Sequence, residues 1–550
     1  MRRAAVSPSY SGAPRFWPAI RPPPPIPTRL RPRGTGSPTS AEPCPEEALA
    51  MSTSTTPRPS RPSRRQLLRT AGGLALGLPL LNACTGGGQS AQNAGADPTD
   101  ATGPITVNWW DHFRPLTELF EKKLFVEYHQ KHDNVTVKRR QLDPADLGQA
   151  LQLARRSKQL PDVHSTAGLS GSVAALVTNG WFHPIGDFVD LGNSPMKDYL
   201  YDGIHRFDGK VYTFPVFSGR WHDSTTWVNS ALAKQAGLDP EQSPATWDEY
   251  RATVRTLDQK TPDSVHGLLL PMKDTDYLGG KLTAFAQMAG APGQTDWKTG
   301  EIAVASEPFI QAMEFLLALK ADGVLHPASS SLGPRDARAR WAAGEAALFP
   351  WGPWFIGGLM VEESPAVKRG ISAWQIPAPS TQRGTVYVAP ASGSFFVSDQ
   401  AKNPKVAADV LFQMTTADFA AQLATRMDQP PILLDSVDKA DVHPAYKKNV
   451  SFFQQDVRIG PVPEVRNGGV AKALAEMRDV HPSPGEIVQA VLTGSTKDYK
   501  TALQQYADKA TKERKRAIDA AKKKGAEVSE DDWVFGNWQP GQDYTQASYK

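Results

Sequence analysis

The chain has 550 residues, 40% of them hydrophobic and 21% charged, with a formal charge of +4. Taking the 12 arginines and 3 glutamates of residues 1–83 from the 61 basic and 57 acidic residues leaves 49 against 54, a charge of about −5 for the remainder. That remainder is long enough for two domains and carries no basic footprint for nucleic acid. The two cysteines are Cys44 and Cys84, and neither lies in the expected globular region, which excludes a disulfide or a thiolate metal site there.

Residues 1–50, with Pro22 to Pro25 in a row and few large aliphatics, read as a disordered or non-native extension; an export signal starts more naturally at Met51. Residues 51–83 read as that signal. Arg64 and Arg65 precede an apolar run over 71–81, the order of a twin-arginine leader. The run is well short of the roughly 20 residues that span a bilayer. Ala83-Cys84 resembles a bacterial lipobox, which makes Cys84 the lipidated first residue of the mature chain, anchored to the outer face of the cell membrane. Residues 84–103 are small and polar and read as a flexible tether.

Structure is predicted to start with a strand over 105–110, then a helix over 116–130, a strand over 135–138, a helix over 147–157 and a short strand entry at 161–163. Strand and helix alternate at a spacing that argues for an α/β sheet of largely parallel strands. Residues 209–216 read as a strand closed by proline, and 225–229 as another. Thr246-Trp247-Asp248-Glu249 is a capping box that opens a helix to about residue 257. Helices are predicted over 309–320, 335–343, 405–414, 417–426 and 502–523. Strands are predicted over 346–350, 387–389 and 395–397.

Gly209-Lys210-Val211-Tyr212-Thr213-Phe214-Pro215, Trp227-Val228-Asn229, Ala236-Gly237-Leu238-Asp239-Pro240, the capping box, Gly344-Glu345-Ala346-Ala347-Leu348-Phe349 leading to Gly352-Pro353-Trp354, and Asn403-Pro404 follow one another in an order that resembles the extracellular solute-binding proteins of ABC importers. The similarity is to the sugar-binding group that includes maltose-binding protein, over about 105–515. It departs at Val228, where that family often has tyrosine. The resemblance implies a two-lobed periplasmic-binding-protein-like α/β fold of type II. Lobe 1 would comprise 104–216 and 386–425, and lobe 2 222–371 and 432–550. Crossings would lie near 216–222, 372–386 and 425–432. It further implies a non-enzymatic, cofactor-free monomer that captures a sugar between the lobes and delivers it to the permease subunits of an importer, touching the membrane only through its lipid.

A sugar site needs aromatic platforms and planar polar groups. After the first strand come Trp110, Asp111 and His112; Trp110 is equally suited to the core, and Asp111 to capping the next helix. Thr166, after the 161–163 strand, suits either a ligand contact or a helix cap. At the first crossing Arg220 suits paired hydroxyls or an interlobe salt bridge, and Trp221 follows it. Asp276 lies in a polar loop as a hydroxyl acceptor or a turn residue. By resemblance Trp354 lies under a sugar ring and Ser392 in a cleft-facing loop; Trp351 suits either a ligand contact or packing. No Walker loop or His-Glu-x-x-His pair is present. Two alternatives stay open: the same fold holding a peptide, polyamine or metal, and a surface-tethered carbohydrate-active enzyme with paired carboxylates.

Overall fold

The computed structural model of the protein describes residues 103–169 and 172–550. The extension, the twin-arginine signal, Cys84 and all but the last residue of the tether lie outside the described residues. In chain order the strands are β1 (Ile105–Asp111), β2 (Val135–Gln141), β3 (Val163–His164), β4 (Phe182–His183), β5 (Arg206–Phe207), β6 (Lys210–Val211) and β7 (Thr226–Asn229). They continue with β8 (His266–Leu268), β9 (Ala346–Pro350), β10 (Ile371–Trp374), β11 (Val386–Val388), β12 (Phe396–Ser398) and β13 (Val457–Ile459).

Two sheets organise two lobes. The first has the order β2-β1-β3-β12-β4, and the second β10-β7-β9-β8. β1 pairs in parallel with β2, from Ile105 opposite Val135 to Asp111 opposite Gln141, and with β3 on its other side. β12 runs antiparallel to β3 and β4. In the second sheet β7 is antiparallel to both β10 and β9, and only β8 and β9 are parallel. The expectation of largely parallel strands therefore holds for β1, β2 and β3 and fails for the second sheet. The reason is topological: β7 and β12 are the strands that arrive from the other lobe, and neither enters through a strand–helix–strand crossover.

Each sheet has its own core. Val107, Trp109, Phe120, Phe395 and Val410 fill the first; Trp227, Val254, Phe309, Trp341, Phe349 and Phe355 fill the second. Burial of each large side chain contributes about 1.5–3 kcal/mol, so the two cores stabilise the lobes separately. In the first core the predicted 116–130 helix widens into a π turn at Phe120–Leu124. An α-helical turn would aim Phe120 and Phe125 well apart. The wider turn keeps both against Trp109, each ring centroid 5.4 Å from the indole. The capping box forms as read: Thr246 Oγ1 accepts from Glu249 N at 3.2 Å, and Glu249 Oε2 accepts from Thr246 N at 3.1 Å.

The strand expected over 209–216 is only β6, paired with β5 in a two-stranded hairpin. Beyond it, Pro215 has no N–H to offer a ladder. Thr213 Oγ1 instead donates to Phe395 O at 2.7 Å, and Ser394 N donates to Phe214 O at 3.4 Å.

Three segments run side by side where the lobes join. Phe217 bridges Pro431 in antiparallel fashion; Ser218 N donates to Pro430 O at 2.8 Å and Ile432 N to Val216 O at 2.9 Å. Gly219 lies against the third segment: a Cβ there would stand 2.9 Å from Ala389 O and 3.0 Å from Ala391 N. This corrects the crossing expected at 372–386. β10 belongs to the second sheet, and β11 pairs with β13, so the chain leaves the second lobe only after Val388. No helix among the described residues is long and apolar enough to cross a membrane.

Candidate functional site

The C-terminal ends of β1 and β3 bring together the polar residues of the first lobe. Pleating sends Trp109 and Trp110 to opposite faces. Trp109 is fully buried. Trp110 packs against Leu147, Leu151 and Leu160 on the other face, with the Arg140 guanidinium 4.8 Å from its ring centroid. Trp110 is thus a packing residue.

Asp111 is also withdrawn from any ligand. It is fully buried and holds the Arg139 fork through both oxygens, at 2.7 Å to Nε and 2.7 Å to Nη2. It also accepts from Trp109 Nε1 at 2.8 Å and from Phe113 N at 2.7 Å. Four donors saturate the carboxylate, and the expected ligand role gives way to a structural one.

His112, one residue on, is half-buried; its Nδ1 lies 2.9 Å from Ser165 Oγ, and burial lowers its pKa to about 4. It is therefore neutral at pH 7, with a ring able to accept or donate. Thr166 is half-buried in a turn closed by Leu169 N donating to its carbonyl at 3.1 Å. It caps no helix: the next begins at Val173, with Ser172 as its cap. His112, Ser165 and Thr166 therefore sit together at the strand ends, where open α/β sheets bind ligands.

Across the crossing, the second lobe presents aromatic rings. Trp221 and Trp354 meet edge to face at 5.0 Å, and Trp351 and Trp354 at 6.0 Å. Trp351 is buried, stacked on Phe349 and tilted against Tyr277 at 5.3 Å, so it is the floor of the group; Trp221 and Trp354 are half-buried beside it. The loop is held by Trp227, whose Nε1 lies 3.2 Å from both Trp351 O and Gly352 O. Gly352 is obligatory, since a Cβ there would be 2.5 Å from the Trp354 ring. The helix Phe355–Glu362 that follows is pinned to the crossing by Gly357 N donating to Met427 O at 3.0 Å.

The remaining expected residues divide. Arg220 is engaged within the protein: Nη2 pairs with Asp543 at 2.6 Å and Nη1 donates to Val457 O at 3.0 Å. The salt-bridge reading replaces the ligand reading. Asp276 is exposed in the first turn of the helix Thr275–Met288, whose cap is Asp274, accepting from Tyr277 N at 3.2 Å. Ser392 is exposed in the segment after the third crossing.

Two charged residues escaped the sequence reading. Asp223 follows Trp221 by two positions, and its Oδ1 lies 3.2 Å from Nζ of Lys281, a side chain only 2% exposed. Lys281 Nζ also lies 4.2 Å from the centroid of Tyr277, one helical turn earlier. The ion pair lacks hydrogen-bond geometry, and burial lowers the lysine to about 8 against the pull of Asp223. The signal for Asp223 was present in its position directly after the first crossing. Lys281 is masked by the apolar run of its helix. Among the described residues no group of three or more His, Cys, Asp or Glu is placed to hold a metal. A recess of about 290 Å³ lined by Phe188, Val189, Leu191 and Val211 involves none of these residues.

A profile described as bacterial extracellular solute-binding protein matches residues 123–454, more than half of the chain. The chain belongs to that family. Solved structures agree on the fold. The sugar-binding protein MalE from Xanthomonas citri is 15% identical, with a TM-score of 0.53 over 77% of this chain and 100% of that one. The cyclic alpha-maltosyl-1,6-maltose binding protein from Arthrobacter globiformis is 18% identical, with a TM-score of 0.52 over 77% and 100%. The GacH receptor of Streptomyces glaucescens GLA.O is 18% identical, with a TM-score of 0.53 over 74% and 98%. No curated protein matches the chain. At these identities the likeness carries the two-lobed architecture, and the residues above are this solute-binding protein's own.

Two outcomes follow. Asp111→Ala takes the bidentate partner from the buried Arg139 guanidinium, leaving it only the exposed Glu121 as a carboxylate, and should lower stability by about 3 kcal/mol in urea unfolding. Lys281 has a folded pKa below its unfolded value, so the unfolded chain binds more protons between about pH 8 and 10.5 and stability rises with pH across that window. Lys281→Met should remove this rise, read as the difference between the two proteins' unfolding midpoints at pH 7.5, 9 and 10.

Proposed function

We propose that this solute-binding protein is a lipid-anchored receptor that captures a sugar between its lobes and hands it to an ABC importer, without chemistry on the ligand. The observation that carries the reading is the tryptophan group, with the half-buried Trp221 and Trp354 packed with Trp351 beside the crossing. Flat apolar rings suit the C–H faces of a pyranose, and a few fixed polar groups suit its hydroxyls. In this reading Trp354 is the platform and Trp221 its neighbour. His112 and Thr166 supply hydroxyl partners from the first lobe, and Asp223, Asp276 and Ser392 complete them. The Arthrobacter protein binds a cyclic maltosyl-maltose and the Streptomyces receptor was solved with acarbose, which favours an oligosaccharide.

Capture would work by population shift. A sugar bridging both lobes makes its full set of contacts only when they close, so binding favours the closed form by that difference alone. An acyl chain on Cys84 would keep the receptor beside its permease, and anchoring would be durable only with more than one chain.

Screening the chain with Cys84→Ser by thermal shift against mono- and oligosaccharides, peptides, polyamines and divalent metals tests the reading. A ligand at 100 times its Kd adds about 2.7 kcal/mol. A shift with one sugar class, with that sugar recovered intact, is the expected result; a response confined to peptides, polyamines or metals would overturn the sugar assignment. With the responding sugar, Trp354→Ala should weaken binding at least tenfold by calorimetry while the melting curve of the free protein stays in place. In cells, Cys84→Ser should move the protein from the membrane fraction to the medium.

A further inference from the structure

Residues 535–550 touch three parts of the molecule that only lobe movement would separate. Their anchor is on the second lobe. Phe535 N donates to Trp297 O at 2.5 Å, and the Trp538 ring packs edge to face on Trp297 at 5.1 Å and on Tyr387 at 5.4 Å. Gly541 N donates to Tyr387 OH at 2.6 Å, and Tyr544 N donates to Ile459 O at 2.8 Å. Tyr387 and Ile459 belong to β11 and β13, which extend from the core of the second lobe.

The middle of the segment meets the hinge. One carboxylate, Asp543, accepts from Ile459 N at 2.8 Å through Oδ1 and pairs with Arg220 in the first crossing at 2.6 Å through Oδ2.

The far end reaches the first lobe. Gln546 Oε1 accepts from Asp202 N at 2.7 Å, and its Nε2 donates to Asp202 Oδ2 at 3.1 Å. Tyr549 packs with Tyr201 and Ile204, and its hydroxyl accepts from Val462 N at 2.8 Å. Residues 201–204 follow Met196 and Leu200, which are core residues of the first lobe. Next to this grip, Gly203 at φ +75° comes so close to the second lobe that a Cβ would stand 2.9 Å from Glu464 O.

We propose that residues 535–550 form a latch: a strap fixed to the second lobe whose distal end holds the first lobe closed on one side of the hinge. The chemistry of the two ends decides which one lets go. The anchor buries three large aromatic rings, Phe535, Trp538 and Tyr544, an apolar contact that water does not replace. The grip is a pair of exposed amide and carboxylate hydrogen bonds and a part-exposed ion pair, for which water and salt compete directly, together with the packing of the half-buried Tyr549 on Tyr201 and Ile204, a smaller apolar contact than the anchor. Opening therefore breaks Gln546 and Asp543 from Asp202 and Arg220, slides Tyr201 off Tyr549, and leaves the aromatic anchor, with Tyr549 against Phe535 and Tyr544, seated. The latch does not depend on what the cleft binds.

The test needs no ligand. In the full chain with Cys44→Ser and Cys84→Ser, the exposed Glu127 and Asp263, one in each lobe, are changed to cysteine and spin-labelled, and the interlobe distance distribution is measured by double electron–electron resonance. Asp543→Asn combined with Gln546→Ala should move the distribution to longer distances, and deletion of residues 541–550 should move it at least as far. The double variant alters only part-exposed polar groups, and an unchanged melting temperature would establish that it is folded. A distribution superimposable on that of the parent in the folded double variant would overturn the latch.

Discussion

Everything in this protein is organised by the three adjacent crossings at 216–219, 389–391 and 430–432, of which the first and last pair in antiparallel fashion. Because the chain passes between lobes three times, neither lobe is a continuous piece, and each sheet must accept a strand delivered from the other side. β7 and β12 are those strands, and both run against a neighbour. The crossings also fix what stands near the hinge. Phe113 packs on Phe217 at 5.2 Å, which ties the end of β1 to the first crossing, and Trp221 follows that crossing directly. The polar strand ends of the first lobe and the rings of the second are therefore held around one short stretch of backbone.

The two sides of the candidate site are built on different physics. In the first lobe, the buried Asp111–Arg139 pair closes off the end of β1 and pushes the next available polar group out to His112. Its worth lies in the cost of breaking it, since an unpaired guanidinium cannot be buried. In the second lobe, apolar burial does the positioning: Trp351 and Tyr277 form a floor, and the missing side chain at Gly352 lets Trp354 fold back over the loop. Lys281 is the exception, an ammonium enclosed between an aromatic ring and one carboxylate.

Periodicity made most single elements legible. The helices over 147–157, 309–320 and 335–343, the capping box and the strands at 105–110 and 346–350 all appear within a few residues of their expected places. What failed were features set by distant partners. The 209–216 run has strand composition, but only Lys210 and Val211 find a strand beside them, the short β5. β11 joins β13, about 70 residues later, which no local pattern announces. The same limit governs the site. Asp111, Arg220 and Asp276 are all plausible hydroxyl partners by residue type. Asp111 and Arg220 are consumed by internal partners 28 and 323 residues away, which only the fold reveals. The place of Trp354 just after a turn came from the resemblance carried by Gly-Pro-Trp, a local device in which the glycine, the turn and the ring are neighbours in sequence.

The close edge-to-face packing of Trp221 on Trp354, 5.0 Å apart at 77°, also has an optical consequence. Two indoles at that distance and angle share their excited states, so their ultraviolet transitions split into a pair of bands of opposite circular dichroism. The sign and size of that couplet depend on the angle between the rings. Trp221 and Trp354 both pack against the core of the second lobe, so the couplet follows the geometry of the ring pair itself, which a molecule seated against either ring would change. A second indole pair, Trp297 and Trp538 at 5.1 Å and 71°, adds its own couplet, so the unlabelled spectrum of the protein is the sum of two such pairs.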